Sequence, residues 1–280
     1  MTDLYVGIAI MVVLYFATYR ATVRLLRRLP GRWADVLAVC TMLGMCLYLQ
    51  YLWDNIRIAH LVPLSNVVIV GNWFPLLASV LAACAWRSLT GHRFRQIFAF
   101  VAMSGIGGYA MLYPLLGAPP ECDDHWRGEI CLQTSIYTCS AASCATLLRG
   151  YGIETTEAEM ARLCLTRQGT TWLGLYHGLS IRLRKAGYRP DLFGCSPEAL
   201  RDVCKDGPVL LCCELTPDAA DRFPQFETRF GWHAGVKHSV VLFGFTGGGF
   251  ALIGDPAVGL EAWSPGELYL LWQRQGIRVI

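Results

Sequence analysis

The sequence predicts an all-α bundle of four transmembrane helices followed by a soluble α+β domain. The chain is 54% hydrophobic and only 16% charged, whereas soluble domains are nearer a quarter charged. The excess of apolar residues lies before Gly117. Beyond it, helical patterns come first and short strand patterns follow, which is the order of an α+β domain. We therefore place the domains at residues 1–118 and 119–280.

Four apolar segments approach the length of about 20 residues that a bilayer-spanning helix needs. They lie at about residues 4–19, 33–53, 64–86 and 97–116. The first follows Met1-Thr-Asp3 rather than a basic region, so we interpret it as an uncleaved span and not as a signal peptide. The lipid bilayer is therefore an expected partner.

Arginine-rich loops indicate the orientation of the spans. Arginines follow the first and the third segments: Arg20, Arg24, Arg27, Arg28 and Arg32, then Arg87, Arg93 and Arg95. Loops rich in Lys and Arg stay in the cytoplasm. We therefore expect a multi-pass protein of a bacterial inner membrane with its soluble domain on the periplasmic or extracytoplasmic side. An odd number of spans would reverse this orientation.

Two asparagines interrupt the third apolar segment. Asn66 and Asn72 have two interpretations. The favoured one is hydrogen bonding between helices, and the other is a polar groove that receives a membrane substrate.

The soluble part begins with the stiff linker Gly117-Ala-Pro-Pro120 and continues with helices. They are predicted from Cys139 to near Gly150, from Ala158 to Cys164, from Trp172 to Ala186-Gly187, from Ser196-Pro-Glu198 to Cys204, and from Ser264-Pro-Gly-Glu267 through Gln273.

The predicted strands are Pro208–Leu215, His238–Thr246 and Gly249–Gly254, which are short, apolar and bounded by Gly and Pro. Thr246-Gly-Gly-Gly249 is typical of a hairpin turn, so Asp255 should lie near His238. The connection between Thr216 and Val236 is unusually long, and we expect it to line or cover a cleft there.

The chemistry is concentrated in Gln133-Thr-Ser-Ile-Tyr-Thr-Cys139 and the helix that follows. A helix N-terminus favours a thiolate over a thiol, and a Gln side chain just upstream can donate to an oxyanion. A nucleophilic cysteine also needs a base and a group that orients the base. Lys237-His238 and Gly254-Asp255-Pro256 supply both. His177 and His233 are rival bases.

Gln-x5-Cys on a helix, then His on a strand, then Gly-Asp-Pro resembles the papain-like bacterial cysteine peptidases of family C-thirty-nine, the double-glycine or bacteriocin-processing peptidases. The resemblance covers roughly the last three fifths of the chain. It implies a papain-like cysteine peptidase domain with Cys139 as nucleophile, His238 as base, Asp255 as orienter and Gln133 as oxyanion donor. Asp-Cys-Gly is usual in the family at the nucleophile, whereas this chain has Thr138-Cys139-Ser140.

Ser140, Trp172 and His233 are the candidate substrate-binding residues. No Cys and His cluster has the spacing of zinc ligands, and the predicted reaction needs no cofactor or metal. The net charge is only +3, and the soluble part has no block rich in Lys or Arg, so a nucleic-acid partner is not predicted. We hypothesise a Cys122–Cys131 disulfide on the extracytoplasmic side.

The expected function is cleavage of a peptide bond, after a Gly-Gly-type motif by resemblance, in a secreted or membrane-associated protein. The chain has no Walker-type phosphate loop, so a separate secretion or transport system is a further expected partner. Two alternatives use the same domain. One is a transpeptidase or acyltransferase that uses an amine in place of water. The other is a catalytically inactive, membrane-tethered binding module.

Overall fold

The computed structural model of the protein describes residues 2–89 and 91–280. It divides into two compact units, Met1–Leu116 and Gly117–Ile280, within two residues of the predicted boundary at 118/119. Each unit is described by itself below.

The first unit is entirely helical. Its elements are α1 (Thr2–Arg27), α2 (Arg32–Leu47) with a π-helical turn (Tyr48–Leu52), α3 (Ile56–Leu61), α4 (Val67–Val70), α5 (Phe74–Ser88), and α6 (Arg93–Leu112) with a 3₁₀ turn (Tyr113–Leu115). By length and composition, four helical segments could cross a membrane: Thr2–Arg27, Arg32–Leu52, Val67–Ser88 and Arg93–Leu115. They overlap the four predicted spans.

The third span is interrupted between α4 and α5, within the predicted segment of residues 64–86. The backbone leaves the helix between α4 and α5 because Asn72 Oδ1 accepts the Phe74 N–H at 3.3 Å. Asn72 Nδ2 donates to Ala110 O at 2.8 Å, and Asn66 Nδ2 donates to Asp3 O at 3.2 Å. Both asparagines therefore hydrogen-bond other helices of the bundle, as the favoured interpretation expects.

The second unit places helices before most of the sheet. Its first elements are β1 (Trp126–Arg127), β2 (Ile130–Cys131), α7 (Cys139–Arg149), α8 (Glu157–Leu163), α9 (Trp172–Arg184), β3 (Pro190–Gly194) and α10 (Pro197–Val203). The remaining elements are β4 (Val209–Glu214), α11 (Pro217–Arg222), α12 (Gln225–Thr228), β5 (Lys237–Phe245), β6 (Ala251–Asp255), β7 (Gly259–Trp263), α13 (Pro265–Leu271) and β8 (Trp272–Val279).

Six strands form one sheet in the order β3-β8-β4-β5-β6-β7, and every neighbouring pair is antiparallel. This confirms the predicted α+β class. It also confirms the hairpin, because β5 and β6 pair from Phe245↔Ala251 to Val241↔Gly254.

Two predictions about this unit were wrong. The last helix ends at Leu271 rather than Gln273, because Trp272 begins β8, which pairs with both β3 and β4 in the interior of the sheet. The segment from Thr216 to Val236 is not a long irregular connection, because it contains α11 and α12, and buried Phe226 and Trp232 pack in the core.

Helix α7, which begins at Cys139, and the Thr216–Val236 segment pack on opposite faces of the sheet. Ser140 Oγ of α7 lies 2.8 Å from the side-chain Oγ of Ser239 on β5. Val240, the next residue of β5, packs with Phe226 and Trp232. Since side chains alternate along a strand, these contacts lie on different faces. His238 lies at the start of β5, where the two layers meet.

Candidate active site

Cys139 is the first residue of α7, with Thr138 at the N-cap position. A tight turn sets the start of this helix, because the Ser135 N–H donates to Thr138 Oγ1 at 3.0 Å and the Thr138 N–H donates to Ser135 O at 3.1 Å. The Cys139 side chain is 7% exposed. The structure therefore presents a nearly buried thiol to the unpaired N–H groups of a helix N-terminus, which favour a negative charge.

The His238 imidazole is the strongest influence that lowers the pKa of the Cys139 thiol. Burial alone would raise the pKa of Cys139. The hydrogen bond and charge of His238 outweigh burial, helped by hydrogen bonds from the Ser239 backbone and Ser140, so the pKa lies below its ordinary value of 9.0. This arrangement favours a thiolate–imidazolium pair at neutral pH.

The pKa of His238 moves in the complementary direction. Burial alone would lower it, but the charge of Asp255 and the hydrogen bonds to Asp255 and Cys139 raise the pKa to about 10. His238 Nε2 lies 2.8 Å from Asp255 Oδ1. A carboxylate is an acceptor only, so Nε2 carries the proton and Nδ1 remains for the thiol.

The Asp255 carboxylate is fully buried, at 0% exposure, and accepts three hydrogen bonds. Oδ1 accepts from His238 Nε2 and from the Ala257 N–H, both at 2.8 Å. Oδ2 accepts from Trp232 Nε1–H, also at 2.8 Å. The antiparallel pairing of β5 and β6 brings Asp255 to the start of β5. A buried carboxylate with three donors is held in one position.

Trp232 is a residue of this site that the sequence did not single out. Its indole is 3% exposed, and its ring centroid lies 4.3 Å from that of His238. Trp263 lies on its other side, with ring centroids 5.8 Å apart. A buried indole N–H needs an acceptor. This requirement and the position of Trp232, six residues before His238, are the sequence features that could have predicted its place in the site.

Gln133 is held beside the turn that carries Asp255. Its backbone N–H donates to Pro256 O at 2.8 Å. Its side-chain Oε1 is buried and has no hydrogen-bond partner within residues 2–89 and 91–280. The backbone of Gln133 is thus hydrogen-bonded to Pro256, the residue after Asp255. The role of the Gln133 side chain as an oxyanion donor stays a prediction.

The three candidate substrate-binding residues lie in different surroundings. Ser140 is buried, with its Oγ 2.8 Å from Ser239 Oγ and 3.9 Å from Cys139 Sγ. Trp172 is buried at the start of α9. The His233 side chain is exposed in a turn closed by the Val236 N–H and His233 O. The contact with Ser239 accounts for Ser140 within the fold, and the roles of all three with substrate stay predictions.

The hypothesised Cys122–Cys131 disulfide is not formed, and both residues are free thiols. Burial is the largest cause that raises the pKa of Cys131 to about 12 and that of Cys122 to about 11. Both thiols are therefore mostly protonated at neutral pH, and this disfavours exchange into a disulfide, because the thiolate is the attacking form. Among the described residues, no group of three or more His, Cys, Asp or Glu side chains could hold a metal ion.

Comparison with known proteins gave likenesses in structure only. Neither the scan against protein-family models nor the search of curated proteins gave a match. The peptidase domain of Streptococcus ComA, described as a bi-functional ABC transporter involved in quorum sensing, is 21% identical with a TM-score of 0.41, over 54% of this chain and 96% of that chain. The peptidase domain of Streptococcus mutans ComA is 18% identical with a TM-score of 0.37, over 54% and 98%.

A third solved structure with a likeness is a double glycine motif protease from an AMS/PCAT transporter, in complex with its leader peptide. It is 22% identical with a TM-score of 0.39, over 54% of this chain and 89% of that chain. Because these identities and scores are low, we base the proposed function on the geometry of the site.

Proposed function

We propose that this chain is a membrane-anchored cysteine peptidase in which Cys139 is the nucleophile. One observation carries the proposal: at the N-terminus of a helix, His238 is hydrogen-bonded to Asp255 and lowers the pKa of Cys139. Each link has the direction that covalent catalysis needs, because Asp255 fixes the imidazole and the imidazole lowers the pKa of the thiol. A merely structural buried cysteine lacks these partners and has a raised pKa, as Cys213 does through burial.

The chemistry follows from the protonation states. The Cys139 thiolate attacks the peptide carbonyl carbon, and the carbonyl oxygen becomes an oxyanion that accepts from Gln133 Nε2–H and the Cys139 N–H. The C–N bond breaks as His238 Nδ1 gives its proton to the leaving amine. A water molecule then loses a proton to His238, attacks the thioester, and releases the acid and the thiolate.

The membrane unit supports an anchored enzyme, because four of its helical segments are long and apolar enough to cross a bilayer. We place the soluble unit on the extracytoplasmic side, on the evidence of the two arginine-rich loops. The substrate is then a secreted or membrane-associated protein delivered by a separate secretion system. Anchoring raises the effective concentration of such a substrate at the site. Cleavage after a Gly-Gly-type motif is proposed from the resemblance of Gln133–Cys139 to the double-glycine peptidases.

The first test is alkylation of Cys139 in spheroplasts that express the full chain, with a membrane-impermeant thiol reagent at neutral pH. The labelled residue is identified by peptide mass spectrometry, because Cys40 and Cys46 are also exposed. Cys139→Ser is the specificity control, and His238→Ala removes the group that lowers the thiol pKa. We expect fast labelling of Cys139 that slows at least about tenfold in His238→Ala, since each pKa unit is tenfold in thiolate population.

The outcomes separate chemistry from orientation. Labelling of Cys139 at the rate of an ordinary thiol, unchanged in His238→Ala, would contradict the peptidase and favour the binding module. Fast labelling that requires permeabilised membranes would keep the chemistry and move the domain to the cytoplasm. Incubation of purified protein with peptides then identifies the product, and an added amine found in it would identify a transpeptidase.

A further inference from the structure

The buried carboxylate of Glu157, on α8, contacts the segment of residues 131–134, which contains Gln133 and is called the Gln133 segment below. Glu157 is 0% exposed, and its carboxylate makes both of its hydrogen bonds to one residue, Thr134. Oε1 accepts the Thr134 N–H at 2.8 Å, and Oε2 accepts the Thr134 Oγ1–H at 2.6 Å. Burial of a charge is costly unless its hydrogen bonds are good, so the fold must gain something from this arrangement.

The Glu157 carboxylate holds the residue next to Gln133, because Thr134 follows Gln133 directly. The segment has two further anchors. The Cys131 N–H donates to Thr146 Oγ1 of α7 at 2.9 Å, and the Gln133 N–H donates to Pro256 O at 2.8 Å.

The Gln133 segment is therefore attached to the three parts of the fold that surround it. One is the helix of Cys139, the second is the turn after Asp255, and the third is the start of α8. Only the attachment to α8 uses a charge. Charge-assisted hydrogen bonds are shorter and roughly twice as strong as neutral ones, so Glu157 is the firmest of these anchors.

We propose that Glu157 is a positioning residue that holds the Gln133 side chain where the oxyanion forms, acting through Thr134. This inference rests on the proposed function. The donors of an oxyanion hole must be fixed before the reaction, because movement of a donor during the reaction costs part of its stabilisation. Glu157 does not touch the substrate.

Two reagents separate this role from a general structural one. p-Nitrophenyl acetate acylates Cys139: the S–C bond forms through a tetrahedral oxyanion, and the C–O bond to nitrophenolate then breaks. Iodoacetamide alkylates the same thiolate by displacement of iodide, with no oxyanion. For the full chain in detergent, we expect Glu157→Gln to slow acylation about tenfold, because small misplacements of catalytic groups have effects of this size or larger. The same variant should change the rate of alkylation by less than about twofold.

Three further variants make the test specific. Thr134→Val removes the hydroxyl and keeps the backbone, and it should lower the ratio of acylation to alkylation in the same direction. Glu159→Gln is the matched control, since Glu159 lies on the same helix but contacts Thr155 and Arg182 instead. In a Gln133→Ala background, Glu157→Gln should have no further effect on acylation.

Equal loss of acylation and alkylation in Glu157→Gln and Thr134→Val would overturn the proposal in favour of a structural role. So would an undiminished effect in the Gln133→Ala background, or an equal effect of Glu159→Gln. A wild-type protein that reacts with both reagents no faster than a free thiol would instead overturn the proposed function itself.

Discussion

Replacement of Asp255 by Asn tests the electrostatic reasoning most directly. The charge of Asp255 is the largest cause that raises the pKa of His238 from 6.5 to about 10, against the burial that lowers it. Without that charge, the pKa of His238 falls. At a fixed pH above the pKa, the ratio of imidazolium to imidazole falls about tenfold for each unit by which the pKa falls. The Cys139 thiolate loses its counter-ion.

The assay is the rate of iodoacetamide alkylation of Cys139 as a function of pH. The wild type should react fast below pH 7, because its thiol pKa is lowered. In Asp255→Asn we expect the rate at pH 6 to fall at least about tenfold, which corresponds to a change of about one unit in the pKa of the thiol. The rate should recover only as the pH approaches the ordinary thiol value of 9.0.

Asp202→Asn is the matched control, because Asp202 is an exposed residue that pairs with Lys205 on the surface. Its profile should equal that of the wild type. An Asp255→Asn protein that is folded and keeps the wild-type rate and pH profile would refute the coupling between Asp255 and Cys139. Thermal unfolding must accompany the assay, because Asn in place of Asp leaves one of the three donors to the carboxylate without a good acceptor, at about 1–3 kcal/mol.

Three further predictions follow from the contacts of the site. Trp232→Phe keeps an aromatic ring beside His238 but removes the donor to Asp255 Oδ2. The free energy of unfolding, measured by denaturant titration, should therefore fall by about 1–3 kcal/mol. Unchanged stability would contradict the hydrogen bond. Ser140→Ala breaks the contact with Ser239; we expect a loss of about 1 kcal/mol with alkylation of Cys139 close to wild type, whereas a large loss of reactivity would indicate a direct role for Ser140. Cys139→Ser removes the titrating thiol and its contribution to the pKa of His238, while Asp255 still raises that pKa. The stabilisation from the raised pKa is full below pH 6.5 and is lost as the pH rises through the folded-state pKa of His238. Urea titrations across that range should show stability falling with pH, and a rise would contradict the raised pKa of His238.

The contact between His238 and Asp255 could be predicted because it depends on local sequence alone. A glycine-rich turn between two apolar strands fixes an antiparallel pair, and the pairing brings the end of β6 back to the start of β5. The helix of Cys139 and its end near Gly150 follow in the same way from local residues. Such features need no knowledge of the rest of the fold.

Strand β8 could not be predicted, because its first half is polar. Gln273, Arg274 and Gln275 follow Trp272, and no alternation of apolar and polar residues marks a strand there. Pairing with β3 and β4 overrides this local preference. A bulge against β4 and a positive φ of 60° at Arg274 disturb the pattern further. The strand is therefore a product of its neighbours in the sheet.

Trp232 and Glu157 were missed for the same kind of reason. Each is ordinary in its own segment, and its meaning comes from a partner far away in the chain: Asp255 for Trp232 and Thr134 for Glu157. Sequence reasoning singled out Cys139, His238 and Asp255, because the predicted chemistry restricts the type of residue. It did not find the residues that hold them, because many types of side chain could do so and only tertiary contacts select one.

The three predicted catalytic side chains occupy the ends of regular elements, and irregular segments fix each of them. Cys139 depends on the Ser135–Thr138 turn, His238 on the ring of Trp232, and Asp255 on Trp232 and the turn that follows it. Backbone in such segments opens at lower free energy than the core strands and helices do. The buried carboxylates Asp255 and Glu157 counter this tendency, because each takes two or more strong hydrogen bonds from an irregular segment. We therefore interpret the two buried charges as the groups that keep a site built at the ends of elements in a single geometry.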